Sequence, residues 1–379
     1  MILIRKGTIH NGLGQVLKQT DLLIDHGQII RIGKDLTAKE ATVIEAEGKC
    51  VMPGFIDPMS SWGTSAGRGQ KADNEENSDP LTPQLDSMDA FDPQSMMYQQ
   101  LWEYGITAAA VLPGDKNILG GTGSVWKSWG RDPKTMCVAE KAVMRGSAKA
   151  AVKKTYGSRN VAPMTRMGLF SALRQMVAQC DSKEEKEVRD PKVLAMKPVL
   201  AGELPLLMSC DKAMDVCNVE RALCEHPVQL IVADCYELEG LPSGLQHGLI
   251  LGDLTDGFNE RNLRLDYGQL LERIRQGQPV ALSAFGDNSS PGREILLWNA
   301  HGLLRQARRL KAGIDAEQVL QMMTSIPARL LQVSDRIGAL REGMDADVVI
   351  WSDHPLMTFD AHPETVIISG ERVKGGEAR

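Results

Sequence analysis

The stretch VMPGFIDPMSSWG, residues 51–63, decides the fold. Val51 to Ile56 is apolar except for a Pro-Gly kink, which predicts a buried strand, and Asp57 stands at its end. Upstream, the first fifty residues are β-rich. DLLIDHGQIIRIG (21–33) alternates apolar with polar or small residues about a His-Gly-Gln turn. The other end of the chain mirrors this, with strand-like runs in DADVVIWSD (345–353) and ETVIISGERV (364–373). Neither end has enough strands to be stable alone. Together, 1–53 and 335–379 are expected to form one small composite β-sandwich.

Downstream of Asp57, strand and helix patterns alternate across 54–334. A polar segment rich in Gly, Asn, Asp and Ser (61–90) comes first, long enough to expect a functional loop or disorder. PQSMMYQQLWEYG (93–105) predicts a helix stopped by Gly105, TAAAVLPG (107–114) a buried strand, and ILGGTGSVWKSWG (118–130) a glycine-rich loop. That loop has neither the GxxxxGK[ST] order nor the GxGxxG spacing of a phosphate cradle. VLAMKPVLAG (193–202), KAMDVCNVERALCEH (212–226) and DYGQLLERIRQG (266–277) read as helices. LPLLMSCD (204–211), VQLIVADC (228–235) and PVALSAFGD (279–287) read as strands, and two helices, 293–313 and 315–333, close the region. Such alternation over about 280 residues means a parallel sheet, either a (β/α)8 TIM-like barrel or, as the alternative, a doubly wound open sheet.

The 379 residues suit one large domain plus a small one. Hydrophobic content of 42% and charged content of 24% are those of an ordinary globular chain. A net charge of −6, with no Lys/Arg-rich cluster, argues against a nucleic-acid partner. MILIRKGTIHNG lacks the apolar core of a signal peptide, and no apolar run is long enough for a bilayer. A cytoplasmic protein with no membrane partner is therefore expected. The seven cysteines include no CxxC pair and read as reduced thiols. Cys210, Cys217 and Cys224 recur along one helical face as small packing residues.

Several segments carry a wider likeness: GQIIRIG with VIEAEGKCVMPGFID (43–57), DPLTPQLDSMDAFDP (79–93), YGITAAAVLPG (104–114), TRMG (165–168), GELPLLMSCDKAMDV (202–216) and TSIPARLLQVSDRIGALREGMDADVVIWSDHPL (324–356). Together they resemble the amidohydrolase superfamily, nearest its imidazolonepropionase-like branch. The resemblance implies a barrel with active-site residues at the C-terminal ends of its strands. In active relatives strand 1 supplies His-x-His, and the matching positions here are Met59 and Ser61. The strand 5 histidine falls at Ser209 or Asp211 and the strand 6 histidine at Asp234. The strand 8 aspartate, the general base of active relatives, falls at Phe285, with Asp287 two residues on. None of the seven histidines matches a ligand position. His10, His26, His354 and His362 lie in the sandwich segments, His226 ends a helix, His301 is mid-helix and His247 precedes a strand. Each reads as a surface or packing histidine.

A thioether and a hydroxyl are poor replacements for imidazole on Zn²⁺, so zinc chemistry and any other cofactor are not expected. The alternative is a carboxylate site on Asp57, Asp211, Asp234 and Asp287, whose oxygens suit one Mg²⁺, Mn²⁺ or Ca²⁺ ion better than zinc. Asp57 and Asp287 would then be the catalytic candidates. The plainer reading is that these aspartates cap helices, as KAMDV after Asp211 suggests. Trp126, Lys127 and Trp129 are expected to form one wall of a ligand pocket, or else to pack on the barrel rim. Arg166 is expected to hold a ligand carboxylate or to pair with a structural aspartate. Three functions follow. The first is a catalytically degenerate homologue that binds a small molecule, self-associates or pairs with an active relative. The second is an active hydrolase of carbon–nitrogen bonds in cyclic amide or peptide-like substrates. The third is a purely architectural partner.

Overall fold

The computed structural model describes residues 1–64, 73–130, 132–181, 189–241, 247–254, 265–285 and 292–374. Its strands, numbered in chain order, form two eight-stranded sheets. The first unites both ends of the chain: β1 (Ile2–His10), β2 (Val16–Asp25), β3 (Gln28–Gly33), β4 (Thr42–Glu45) and β5 (Cys50–Pro53) join β14 (Val348–Trp351), β15 (Pro363–Ile368) and β16 (Glu371–Lys374). The long β1 pairs with β2 on one side; on the other its first half pairs with β4 and its second half with β5. β14 then pairs antiparallel with β5, which stitches the two chain ends together. Ile4, Ile9, Leu22, Ile24, Val51, Val348, Ile350 and Ile367 share one apolar cluster among these strands. Both chain ends thus build the composite β unit expected from the sequence, its strands hydrogen-bonded as one continuous sheet.

Two tight hairpins shape it. β2 turns into β3 through His26-Gly27, and β15 into β16 through Ser369-Gly370; all four residues have positive φ, between 46° and 81°. Two-residue turns of this hand match the twist of the strands they join. The 364–373 run, which alternates like one strand, is therefore a hairpin. The two turns also touch: a Cβ on Gly370 would lie 2.7 Å from Gly27 Cα.

The second sheet curls into a nearly closed barrel, with its strands side by side in sequence order. They are β6 (Phe55–Ser60), β7 (Ile106–Val111), β8 (Leu119–Lys127), β9 (Cys137–Ser147), β10 (Leu206–Ser209), β11 (Leu230–Ala233), β12 (Gly248–Leu251) and β13 (Val280–Leu282). All run parallel except β8, which is antiparallel to both neighbours. The segment read as a glycine-rich loop is therefore a central strand. Its glycines admit close neighbours: a Cβ on Gly121 would meet Leu85 O at 2.4 Å, and one on Gly123 would meet Leu112 Cδ2 at 2.2 Å.

Inside the barrel Ile56, Ala108, Ala110, Val125, Val143, Leu207, Ile231, Ile250 and Ala281 pack together, with Ala328, Leu331, Val333 and Ile337 closing one end. The opposite faces of the strands pack on helices that include Arg166–Asp181, Pro191–Leu200, Ala213–Leu223, Tyr267–Arg275 and Ile295–Arg309. Between β13 and β6 no ladder forms. Instead Ile56 N–H donates to Met323 O (2.8 Å) and Leu282 N–H to Met322 O (2.9 Å). Both carbonyls come from a break between the helices Ala316–Gln321 and Ser325–Leu330, which the sequence pattern reads as one. Pro327 has no N–H to offer Met323 O four residues earlier, so that carbonyl is free to hold the barrel strand. Among the described residues, no helix is long and apolar enough to cross a membrane.

Candidate functional site

The C-terminal ends of the parallel strands converge on one mouth. Asp57, on β6, is fully buried there. Its Oδ1 lies 2.6 Å from Ser283 Oγ, just past β13, and accepts Met59 N–H at 3.3 Å. Ser283 Oγ also lies 2.9 Å from Met59 O and accepts Phe285 N–H, so one hydroxyl ties the first and last barrel strands together. Asp57 Oδ2 and the Trp62 indole Nε1 are both buried and approach each other without closing a hydrogen bond. Burial pushes the Asp57 carboxyl up to about 6, against the pull of its hydrogen bonds.

The positions matched to metal ligands carry something else. Met59 and Phe285 both pack on the apolar cluster lining the barrel. Phe285 adopts φ of 49°, and its ring edge lies over Gly252, where a Cβ would come within 2.9 Å of it. Ser61 uses its carbonyl to hold Thr64. Ser209 Oγ lies 2.8 Å from Arg145 Nη2. Arg145 shares the inward face of β9 with Val143, is 1% exposed, and also donates to Gly146 O at 2.9 Å. Asp234, in left-handed backbone at φ of 63°, meets Lys149 Nζ at 2.5 Å, and the same ammonium reaches Asp115 Oδ2 at 3.0 Å. Burial would raise the Asp115 carboxyl, but Lys149 and Arg145 outweigh it and hold the group below its ordinary value. Asp211 does not cap the helix Ala213–Leu223 that follows it, whose N-terminus has no side-chain cap, but accepts Ala150 N–H at 2.6 Å, at the start of the helix Ala150–Gly157.

Other expected site residues are placed elsewhere. Asp57, Asp211 and Asp234 do not gather into one ligand set: among the described residues, the only His, Cys, Asp or Glu group with three ligand atoms within 4.8 Å of one another is His10, Glu317 and His354. Asp287 lies outside the described residues. The pocket wall of Trp126, Lys127 and Trp129 is not formed. β8 runs backwards, so Lys127 ends at the far side of the barrel, fully buried between Asp345 (2.9 Å) and Asp347 (2.6 Å). Trp126 is buried against Phe91 and bonds Ser124, and Trp129 packs edge-on to Trp102. Arg166 grips the buried Asp215 with two hydrogen bonds, of 2.7 and 3.1 Å. Lys149 and Arg145 were missed by sequence reasoning; their place at the end of a barrel strand was the available signal, but β9 itself was not read as a strand. His226 faces Asp181 and His247 faces Glu220, as surface histidines do. His10 and His354 are buried instead, and both turn inward on Glu317. Beside the mouth, a cavity of about 10 Å³ lined by Asn74, Glu75, Lys116 and Asn117 has room for one water. A roomier cleft, about 410 Å³, opens at the opposite end beside Gln278, Gln321, Arg329 and Arg341.

Comparison with known proteins adds four likenesses. The model of the amidohydrolase family matches residues 241–373. The amidohydrolase tasK of Hapsidospora irregularis is 24% identical over 402 residues, covering 95% of this chain and 40% of that protein, so the chain spans well under half of that relative. A dihydroorotase of Caldanaerobacter subterraneus subsp. tengcongensis is 45% identical over 56 residues, 15% of this chain and 13% of the relative. Among solved structures, an amidohydrolase from Thermotoga maritima MSB8 superposes with a TM-score of 0.86 at 26% identity, covering 99% of this chain and all of that one.

Proposed function

We propose that the chain is a catalytically degenerate member of the amidohydrolase superfamily, acting as a ligand-binding or partner subunit in the cytoplasm; its likeness to that family supports the reading. One observation carries this reading. The positions matched to metal ligands are filled by apolar packing, in Met59 and Phe285, or engaged by side-chain cations, Arg145 at Ser209 and Lys149 at Asp234. This donor set does not suit zinc: a thioether and a phenyl ring replace imidazole and carboxylate, Asp234 already faces an ammonium and Asp211 a backbone N–H. A fixed positive side chain also opposes entry of a cation at the same spot. The occupants proposed for the scaffold are a small molecule, a second copy of the chain or an active relative, with no nucleic-acid or membrane partner.

The test is elemental analysis of untagged protein prepared without chelators, joined to a turnover screen against cyclic amides and N-acyl amino acids. Absence of turnover, with no metal that depends on Asp211 or Asp234, is the expected result. Turnover that disappears in Asp234→Ala, together with one equivalent of metal, would overturn it. A second reading is favoured by Asp57, whose carboxyl at about 6 exchanges its proton near neutral pH. Under it the chain is a hydrolase of non-peptide carbon–nitrogen bonds, working through carboxylates and one Mg²⁺, Mn²⁺ or Ca²⁺ ion, and Asp57→Asn abolishes the activity.

A further inference from the structure

Far from the mouth, three residues distant in sequence meet where the composite sheet joins the barrel. His10 ends β1, His354 follows β14, and Glu317 lies in the first turn of the helix Ala316–Gln321. Glu317 Oε1 is 2.7 Å from His10 Nδ1 and 3.5 Å from His354 Nε2, and the two rings stand edge to face with centroids 4.8 Å apart. His10 is 6% and His354 9% exposed. His10 Nε2, His354 Nε2 and Glu317 Oε2 are buried with no hydrogen-bond partner. Buried polar atoms are seldom left in this state, and one of the three, His354 Nε2, faces Glu317 Oε1 across the cluster.

We infer that His10, Glu317 and His354 form a binding site for one divalent transition-metal ion of the zinc class, which fastens both chain ends to the barrel. Two imidazoles and a carboxylate with a fourth position left for water are a donor set zinc accepts. Zinc bonds of about 2.0–2.2 Å place tetrahedral donors about 3.3 Å apart, and the 2.7 and 3.5 Å separations bracket that value. The donor atoms all lie within 4.8 Å of one another, so the widest pair closes by no more than about 1.5 Å as the ion enters. Two contacts oppose it, the first being the His10 Nδ1–Glu317 Oε1 hydrogen bond at 2.7 Å, which opens as the ion enters. Leu356 N–H donates to His354 Nδ1 (3.1 Å), and a ring that ligates through Nε2 carries its proton on Nδ1. Binding therefore displaces that amide as the His354 proton moves from Nε2 to Nδ1. The site is independent of the chemistry proposed for the mouth.

The experiment titrates metal-free full-length protein with Zn²⁺ against a chromophoric chelator, and with Co²⁺ followed by visible absorption. One equivalent is expected. Glu317→Gln and His354→Ala each weaken it at least tenfold, while the exposed His26→Ala and the mouth variant Asp234→Ala leave it unchanged. In case the first two variants fold poorly, His354→Cys supplies a gain of signal: its Co²⁺ complex acquires thiolate charge-transfer absorption absent from the wild type. No binding at millimolar zinc, binding indifferent to Glu317→Gln and His354→Ala, or no new band with His354→Cys overturns the site. Because Asp234→Ala and Glu317→Gln report separately, metal found here cannot be mistaken for metal at the mouth.

Discussion

Lys127 shows how little one residue's neighbours in sequence reveal of its role. Set between Trp126 and Trp129, it reads as part of a pocket wall, yet its partners lie 218 and 220 residues away. Arg336 joins them on Asp345 at 2.9 Å. Removing the ammonium leaves buried carboxylates facing each other, and losing one partner of such a cluster costs about 3–5 kcal/mol. Lys127→Met should lower unfolding free energy by that amount in a urea titration; a loss under about 1 kcal/mol would mean that water reaches the carboxylates. Asp57 makes a prediction of the opposite sign. Its carboxyl is raised from 3.8 to about 6 in the folded chain, so the stability it contributes is full below pH 3.8 and is lost as pH rises through 6. About two pKa units correspond to about 3 kcal/mol. Asp57→Asn should remove that slope from the pH dependence of the urea midpoint, and an unchanged slope would assign it to other groups. The end of a barrel strand was legible as the place for Asp57. Its burial under Trp62 and Ser283 was not, because both contacts depend on how the barrel closes.

At the scale of elements, periodicity served well where one face decides the pattern. The His26-Gly27 hairpin, β7, β10, β11 and the helices Pro191–Leu200 and Ala213–Leu223 all lie where alternation or helical spacing puts them. It failed where another constraint ruled. β8 hides behind glycines needed for close backbone approach, and β9 hides behind Glu140, Lys141 and Arg145, charges that mask the strand's alternation. The long helix expected over 315–333 divides because Pro327 cannot complete it. The hairpin turns give a test. Gly370 combines φ of 76° with contact against Gly27, whereas Gly277 has φ of 87° and nothing within 4 Å of an added Cβ. Gly277→Ala should cost about 1 kcal/mol, the left-handed backbone penalty alone. Gly370→Ala should cost at least about 1 kcal/mol more, as the price of separating the two turns. Equal losses in thermal unfolding would show that the turns do not touch.

For the molecule as a whole, the barrel and the composite sheet behave as one body. Trp351 of the sheet stacks on Phe55 of the barrel at 5.5 Å, and Gly54 N–H donates to Asp347 O at 3.0 Å across the same boundary. The alternation of strand and helix patterns made the barrel legible, but not its closure, since the seam uses no strand pairing. The seam behaves like the clasp of a bracelet. Ile56 and Leu282 are held by carbonyls of the carboxyl-terminal helical break, not by a neighbouring strand. Their amides should therefore share one opening free energy, lower than that of amides in the β10–β11 ladder, when native-state deuterium exchange is followed residue by residue. Matching protection in seam and ladder would mean that the ring never opens without unfolding. Faster exchange at the two seam amides would make undocking of the last two helices the lowest-energy way to open the barrel.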